Sequence, residues 1–187
     1  MSHFSHNLRY LLWKKTEDVR DWIHEAAKWC GCDDGRADNL LRGAEPLREE
    51  LKRISEEVGI SSRNLKGKNL VSEGPVGEVL HANLCYLING LDRGMKSAFA
   101  ESLGTHATTI SGWLSGKSRP APSNQNAICR YFALPTGTDL ERDALFLAYP
   151  PVSEILRKRW IRERLDALNA ADLQVIFPVI ERIFRIR

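Results

Sequence analysis

The stretch TTISGWLSGKSRP, from Thr108 to Pro120, sets small hydroxyl side chains next to a glycine turn that carries Lys117 and Arg119. These groups suit non-covalent recognition. A Thr or Ser hydroxyl donates and accepts hydrogen bonds, a Thr methyl makes apolar contact, and ammonium and guanidinium groups pair with oxyanions. No catalytic constellation accompanies them. The chain has no Gly-rich phosphate loop, no clustered Ser, His and Asp, and no paired metal-ligand spacing, so no catalytic residue is expected and the protein is not expected to be an enzyme. Cys30 and Cys32 form a C-x-C without a second pair of ligands, and Cys85 and Cys129 stand apart. They read as reduced thiols, with no metal and no cofactor expected.

Composition narrows the classes further. With 27% charged and 43% hydrophobic residues, the chain of 187 can bury a core and is not a disordered polyelectrolyte. No apolar run reaches the roughly 20 residues of a membrane span. The first residues lack the apolar core of a signal peptide, so the expectation is a cytoplasmic protein with no membrane partner. Net charge is only +3, but it is unevenly placed. Residues 1–74 carry thirteen basic and thirteen acidic side chains, and the excess lies beyond them. Between Arg93 and Arg130 stand Arg93, Lys96, Lys117, Arg119 and Arg130, against Glu101 alone. A local positive field on a near-neutral chain points to an anionic partner.

The elements that must hold these residues are written twice. Asn7-Leu8-Arg9-Tyr10-Leu11 echoes Asn83-Leu84-Cys85-Tyr86-Leu87, an offset of 76. Ala27, Gly31, Leu41 and Gly43 match Ala100, Gly104, Leu114 and Gly116 at an offset of 73. Helical periods and caps supply the same order in both copies. In the first copy, Leu8, Leu11 and Leu12 form a stripe. Thr16 or Asp18 caps a helix with Val19, Trp22, Ile23, Ala26 and Ala27, which Gly31 ends. Asp33 or Asp34 caps a short helix through Leu41, and Pro46 opens one with Leu47, Leu51, Ile54 and Val58. In the second copy, Leu84, Leu87 and Ile88 repeat the stripe, and Ala98, Phe99 and Leu103 face inward before the Gly104 turn. Thr105 or His106 caps a helix buried through Ile110, Trp113 and Leu114, and Ser123 caps the next, with Ile128, Tyr131 and Phe132 inside. Leu140, Ala144, Leu145 and Leu147 suggest a fifth helix, stopped by Pro150-Pro151. Ser153 then starts a helix with a cationic stripe from Arg157 to Arg164, solvated on its outer face. Asn169 with Asp172 caps a last apolar helix that contains Pro178. No sustained strand alternation occurs, so the expected class is all-α.

A helix, a glycine turn, a short helix and a basic exit is the helix-turn-helix plan, in which the second helix lies in the major groove and needs one apolar side to stay attached. Here Ala100 fits where the helices cross, Gly104 fits the turn, and Ile110, Trp113 and Leu114 supply the apolar side. At Ala100-Glu101-Ser102-Leu103-Gly104, Thr108-Thr109-Ile110-Ser111 and Trp113-Leu114-Ser115-Gly116-Lys117-Ser118-Arg119-Pro120, the chain resembles the Cro and phage-repressor helix-turn-helix regulators, the XRE family. The resemblance covers His81 to Leu134 well and Asn7 to Ile60 more weakly. It implies that His106, Ala107, Thr108, Thr109 and Gly112 read bases. It also implies that Lys96, Ser115, Lys117, Ser118 and Arg119 hold phosphates, which set affinity and register rather than sequence. Ala107 and Gly112 stand where long Gln or Arg donors are common, so discrimination rests on smaller contacts or on DNA shape.

The first copy departs from this pattern. Asp33, Asp34 and Asp38 would oppose phosphate, with Arg36, Asn39 and Arg42 left to reach it, so this copy reads as a protein-contact module. The expected layout is two tandem repressor-like helix-turn-helix bundles followed by a C-terminal helical hairpin. Residues 1–63 are the degenerate domain, 64–79 a linker, 80–149 the DNA-binding domain, and 150–187 a hairpin able to pair subunits. The implied function is a sequence-specific regulator, a repressor that binds double-stranded DNA as a homodimer. The alternative is an adaptor or antitoxin-like subunit that uses the same scaffold to bind a protein.

Overall fold

In a computed structural model, residues 3–16, 21–72, 77–91, 93–166 and 168–185 are described, and the chain is all-α, with no strand among them. The first half holds α1 (Phe4–Lys15), α2 (Trp22–Cys30), α3 (Asp34–Arg42), α4 (Arg48–Val58) and α5 (Ser62–Gly67). The second holds α6 (Glu78–Asn89), α7 (Arg93–Ser102), α8 (Ala107–Leu114) and α9 (Pro122–Tyr131). A short 3-10 turn at Leu145–Leu147 precedes α10 (Glu154–Asp166) and α11 (Ala170–Arg185). No helix is long and apolar enough to cross a membrane among the described residues.

The repeat extends to individual hydrogen bonds. After α2, the Cys32 N–H donates to Ala27 O at 3.1 Å; after α7, 73 residues on, the Thr105 N–H donates to Ala100 O at 3.0 Å. Gly31 and Gly104 adopt positive φ of 66° and 63° at these turns, conformations that cost any residue with a Cβ. After α3, the Ala44 N–H reaches Asn39 O at 2.9 Å, and after α8 the Lys117 N–H reaches Gly112 O at 3.0 Å. Ala27 and Ala100 are both buried where the helices meet.

Two buried asparagines close the two units in the same way. Asn7 on α1 donates to Leu65 O (2.9 Å) and Lys68 O (2.6 Å), and its Oδ1 accepts from the Leu70 N–H (3.0 Å). Asn83 on α6 donates to Leu140 O and Asp143 O, both at 2.8 Å, and its Oδ1 accepts from the Leu145 N–H at 2.8 Å. The partners are the end of α5 and the chain after it in the first unit, and the irregular chain leading into the Leu145–Leu147 turn in the second; the two asparagines themselves are fully buried, where an unpaired amide would be costly.

This packing revises several expectations. Residues 64–72 are not a linker: Leu65 and Val71 are buried in the first core, and α5 is capped by Ser61. Asp18, Val19 and Gly74-Pro75 lie outside the described residues. Thr16 ends α1 in extended backbone instead of capping α2. Pro46 precedes α4, which starts after Leu47, and Leu47 is exposed. Ala98 is exposed, and α9 starts at Pro122 after Ala121, not after a Ser123 cap. The fifth helix is absent because Leu140 and Asp143 offer their carbonyls to Asn83 in place of a helical ladder; only the Leu145–Leu147 turn forms. Ser153 does cap α10, accepting from the Leu156 N–H at 3.2 Å, and Asn169 caps α11. The hairpin expected of α10 and α11 has no packed interface, since no residue of α11 is buried. His6 is half-buried on α1.

The units are fastened together. Leu145 enters the second core while Phe146, Leu147 and Tyr149 enter the first. Trp13 packs on Phe146 with ring centroids 4.5 Å apart, and the Tyr10 hydroxyl and Lys14 both reach Glu78 at 3.2 Å. Asn83→Ala should lower unfolding free energy by about 3 kcal/mol, because several buried groups lose their partner at once. Asn7→Ala should act similarly, and exposed Asn126→Ala should stay within about 0.5 kcal/mol, all read by urea denaturation. Losses at Asn7 and Asn83 no larger than at Asn126 would refute the closing role.

Candidate nucleic-acid interface

Helix α8 is attached through buried Ile110 and Trp113, with Leu114 half-buried. Its opposite side presents His106, Ala107, Thr108 and Ser111 to solvent, while Thr109 is half-buried. His106 holds the N-cap position with extended backbone, but its side chain makes no capping hydrogen bond. The Ser111 hydroxyl donates to Ala107 O at 3.0 Å, and that of Ser115 to Gly112 O at 3.2 Å. Both hydroxyl protons are thus held by the helix, and these side chains meet a partner chiefly as acceptors.

Gly112 stands apart from the other base-reading candidates. Its carbonyl accepts from the Lys117 and Ser118 N–H groups at 3.0 and 3.2 Å. A Cβ there would fall 2.9 Å from the Ser118 hydroxyl. The basic exit therefore folds back onto the Gly112 carbonyl, with the Ser118 hydroxyl beside the glycine. Lys117, Ser118 and Arg119 are exposed at that exit and Pro120 behind them is buried. The Arg119 guanidinium lies against Gly77, at the start of α6. Lys96 is half-buried in the first turn of α7. None of Lys96, Lys117 and Arg119 enters an ion pair among the described residues.

The equivalent helix of the first copy is finished differently. Asp33 caps α3 by accepting from the Arg36 N–H at 2.8 Å. Arg36 forks onto Glu50, Nε to Oε1 at 2.8 Å and Nη2 to Oε2 at 2.9 Å, and also donates to Glu45 O. The Arg36 hydrogen bond holds the Glu50 carboxyl below the usual carboxylate range in spite of burial, and the Leu47 N–H assists. Asp38 accepts from Arg42 Nε and from the Tyr149 hydroxyl, each at 2.7 Å. Burial, then the bond to Asp38, pushes the Tyr149 phenol up to about 12, so it remains a donor. Arg36 and Arg42, which the sequence left available for phosphate, are thus committed within the chain. Beneath them, burial pushes the Cys30 thiol up to about 12.

Compared with protein-family models, with curated proteins and with solved structures, the chain matches none.

Because the Glu50 carboxyl is depressed in the fold, its contribution is complete above the unfolded carboxylate value of about 4.3 and is lost as pH falls through the folded value. Glu50→Gln should cost about 1–3 kcal/mol at pH 7. The gap to the parent should close at acid pH, in denaturant titrations run at both pH values. A gap independent of pH would contradict the assignment.

Proposed function

We propose that the chain is a sequence-specific DNA-binding transcriptional regulator, a cytoplasmic repressor that grips duplex DNA through α8 and the exit turn after it. One observation carries this reading. Two units share their turn and closing hydrogen bonds, yet the second leaves its short helix with small exposed side chains beside cations that have no ion pair among the described residues. Such a helix fits a major groove about 12 Å wide, with Lys117 and Arg119 positioned for phosphates on one side. His106, Ala107, Thr108 and Thr109 meet base edges. Gly112 lies under the exit turn, its carbonyl accepting from the Lys117 and Ser118 N–H groups.

The homodimer belongs to the same proposal and rests on α11. Leu173, Val175, Ile176, Phe177, Val179, Ile183 and Phe184 are all exposed on it, from 37% at Ile176 to 79% at Val175. An apolar surface of this extent marks an interface. In an antiparallel, two-fold pairing centred near Pro178, Asp172 of one copy would meet Arg182 and Arg185 of the other, so charge and apolar stripe agree. The adaptor or antitoxin-like reading draws on α3, whose arginines are neutralised while Asp33 and Asp34 stay exposed. That surface suits a protein partner better than a phosphate backbone.

Replacing Lys117 and Arg119 together by Ala should weaken binding to every duplex alike. It should also lower the slope of log affinity against log salt by about 2, close to one released counterion per lost contact. An unchanged slope would remove both residues from the interface. Ile176→Asp with Val179→Asp should convert a dimer to a monomer by light scattering without changing the helical circular dichroism of the core. A dimer that survives would move the subunit contact elsewhere.

A further inference from the structure

A cleft of about 900 Å³, within the usual size range of small-molecule sites, opens between α1, α6, the Leu145–Leu147 turn and α10. Its apolar walls are aromatic: Trp13 from α1, Tyr86 from α6, Phe146 from the turn and Trp160 from α10. Two of the arginines in the cationic stripe of α10, read from the sequence as a solvated face, turn into it. Arg159 is fully engaged there. It donates to Tyr86 O at 3.0 Å and Leu87 O at 3.4 Å, lies over the Tyr86 ring, and pairs with Glu163 at 3.7 Å.

Arg164 differs. Its guanidinium stacks 4.3 Å from the centre of the Trp160 ring. Its Nε and Nη2, together with Trp160 Nε1, are buried with no hydrogen-bond partner. These three are the unpartnered buried side-chain polar atoms among the described residues, and all belong to two neighbouring residues on the wall of one cleft. Buried donors are ordinarily paired, because a donor stripped of water and given no acceptor destabilises the fold. The cleft's own carboxylates do not answer them. Glu78 is held by Lys14 and Tyr10, and Glu163 faces Arg159; Asp38 lies within electrostatic reach of Arg164 but is bonded to Arg42 and Tyr149.

We propose that this cleft binds a small aromatic anion, a planar ring bearing a carboxylate. The guanidinium edge and the indole N–H would share the carboxylate oxygens, and the aromatic walls would cover the ring. Arg is the side chain suited to this geometry, since its planar fork matches a carboxylate and its face stacks on a π system. A nucleic-acid backbone is a poorer occupant, because Glu78 and Glu163 both line the cleft. The cleft adjoins the end of α8 through Cys85, whose thiol lies 3.9 Å from Leu114 O, so its occupancy is tested without DNA.

The test is isothermal titration calorimetry of the full chain, without DNA, with 2-naphthoate, and with 2-naphthalenemethanol as the neutral analogue. The acid should bind about tenfold or more tightly than the alcohol, the discrimination expected of charge-assisted hydrogen bonds. Arg164→Met should abolish that preference while leaving the weak binding of the alcohol. Trp160→Phe keeps the ring and removes one donor, so it should reduce acid affinity with the melting temperature held, and it serves if the Arg164 variant is unstable. Equal affinity for acid and alcohol, no binding of either, or acid binding lost in the α11 variant and kept in Arg164→Met would each overturn the proposal.

Discussion

One side-chain amide closes each half of this protein. Asn7 and Asn83 sit on the first helix of their units and hold the last segment, largely non-helical, by three short hydrogen bonds. Chain that enters a core without helix or strand brings unpaired N–H and C=O groups with it. An asparagine offers both donors and an acceptor on one short arm, which few side chains can do. The course of the downstream chain depends on that hold. With Leu140 to Leu145 pinned, Leu145 turns into one core and Phe146, Leu147 and Tyr149 into the other. Tyr149 then reaches Asp38, and α10 is delivered across Tyr86.

On this common scaffold the two halves have diverged at the surface. In α3 the arginines are neutralised by Glu50 and Asp38, and the tyrosine that comes after the second unit covers part of the helix. These are interactions that stabilise the fold, and they use the groups a nucleic-acid contact would need. In α8 the corresponding positions are Thr109 and Ser115, with no carboxylate in the first turn. The cations stand instead on the exit turn, exposed. The divergence separates a unit that holds the molecule together from a unit whose surface remains available.

Much of this was legible in the residues. Helical period, the glycine turns and the repeated Asn-Leu pair gave the all-α class, the order of helices and the duplication, because such signals are local. The sequence also showed the Gly-Lys-Ser-Arg-Pro exit and the buried side of α8. It misplaced what long-range contacts decide. Leu140 to Leu147 has helical spacing, but the Asn83 amide draws its carbonyls and N–H groups away from a helix. The segment after Ser61 is rich in Gly and polar residues, yet Asn7 and the first core order it through Val71. Gly112 read as a missing Arg, with no sign that its carbonyl receives the exit turn. The pairing of Arg36 with Glu50, and the unpartnered donors of Arg164 and Trp160, joined residues whose spacing carries no pattern.

The central claim is that α8 and the turn after it bind duplex DNA with sequence preference. The most direct measurement is fluorescence anisotropy of the purified protein titrated against the DNA upstream of its own coding sequence and against a scrambled duplex, each at two salt concentrations. Tighter binding to the upstream DNA, weakening steeply with salt, is the predicted result. Equal weak binding to both duplexes, or none at low salt, would contradict it and leave α8 and its exit turn as a protein-binding surface.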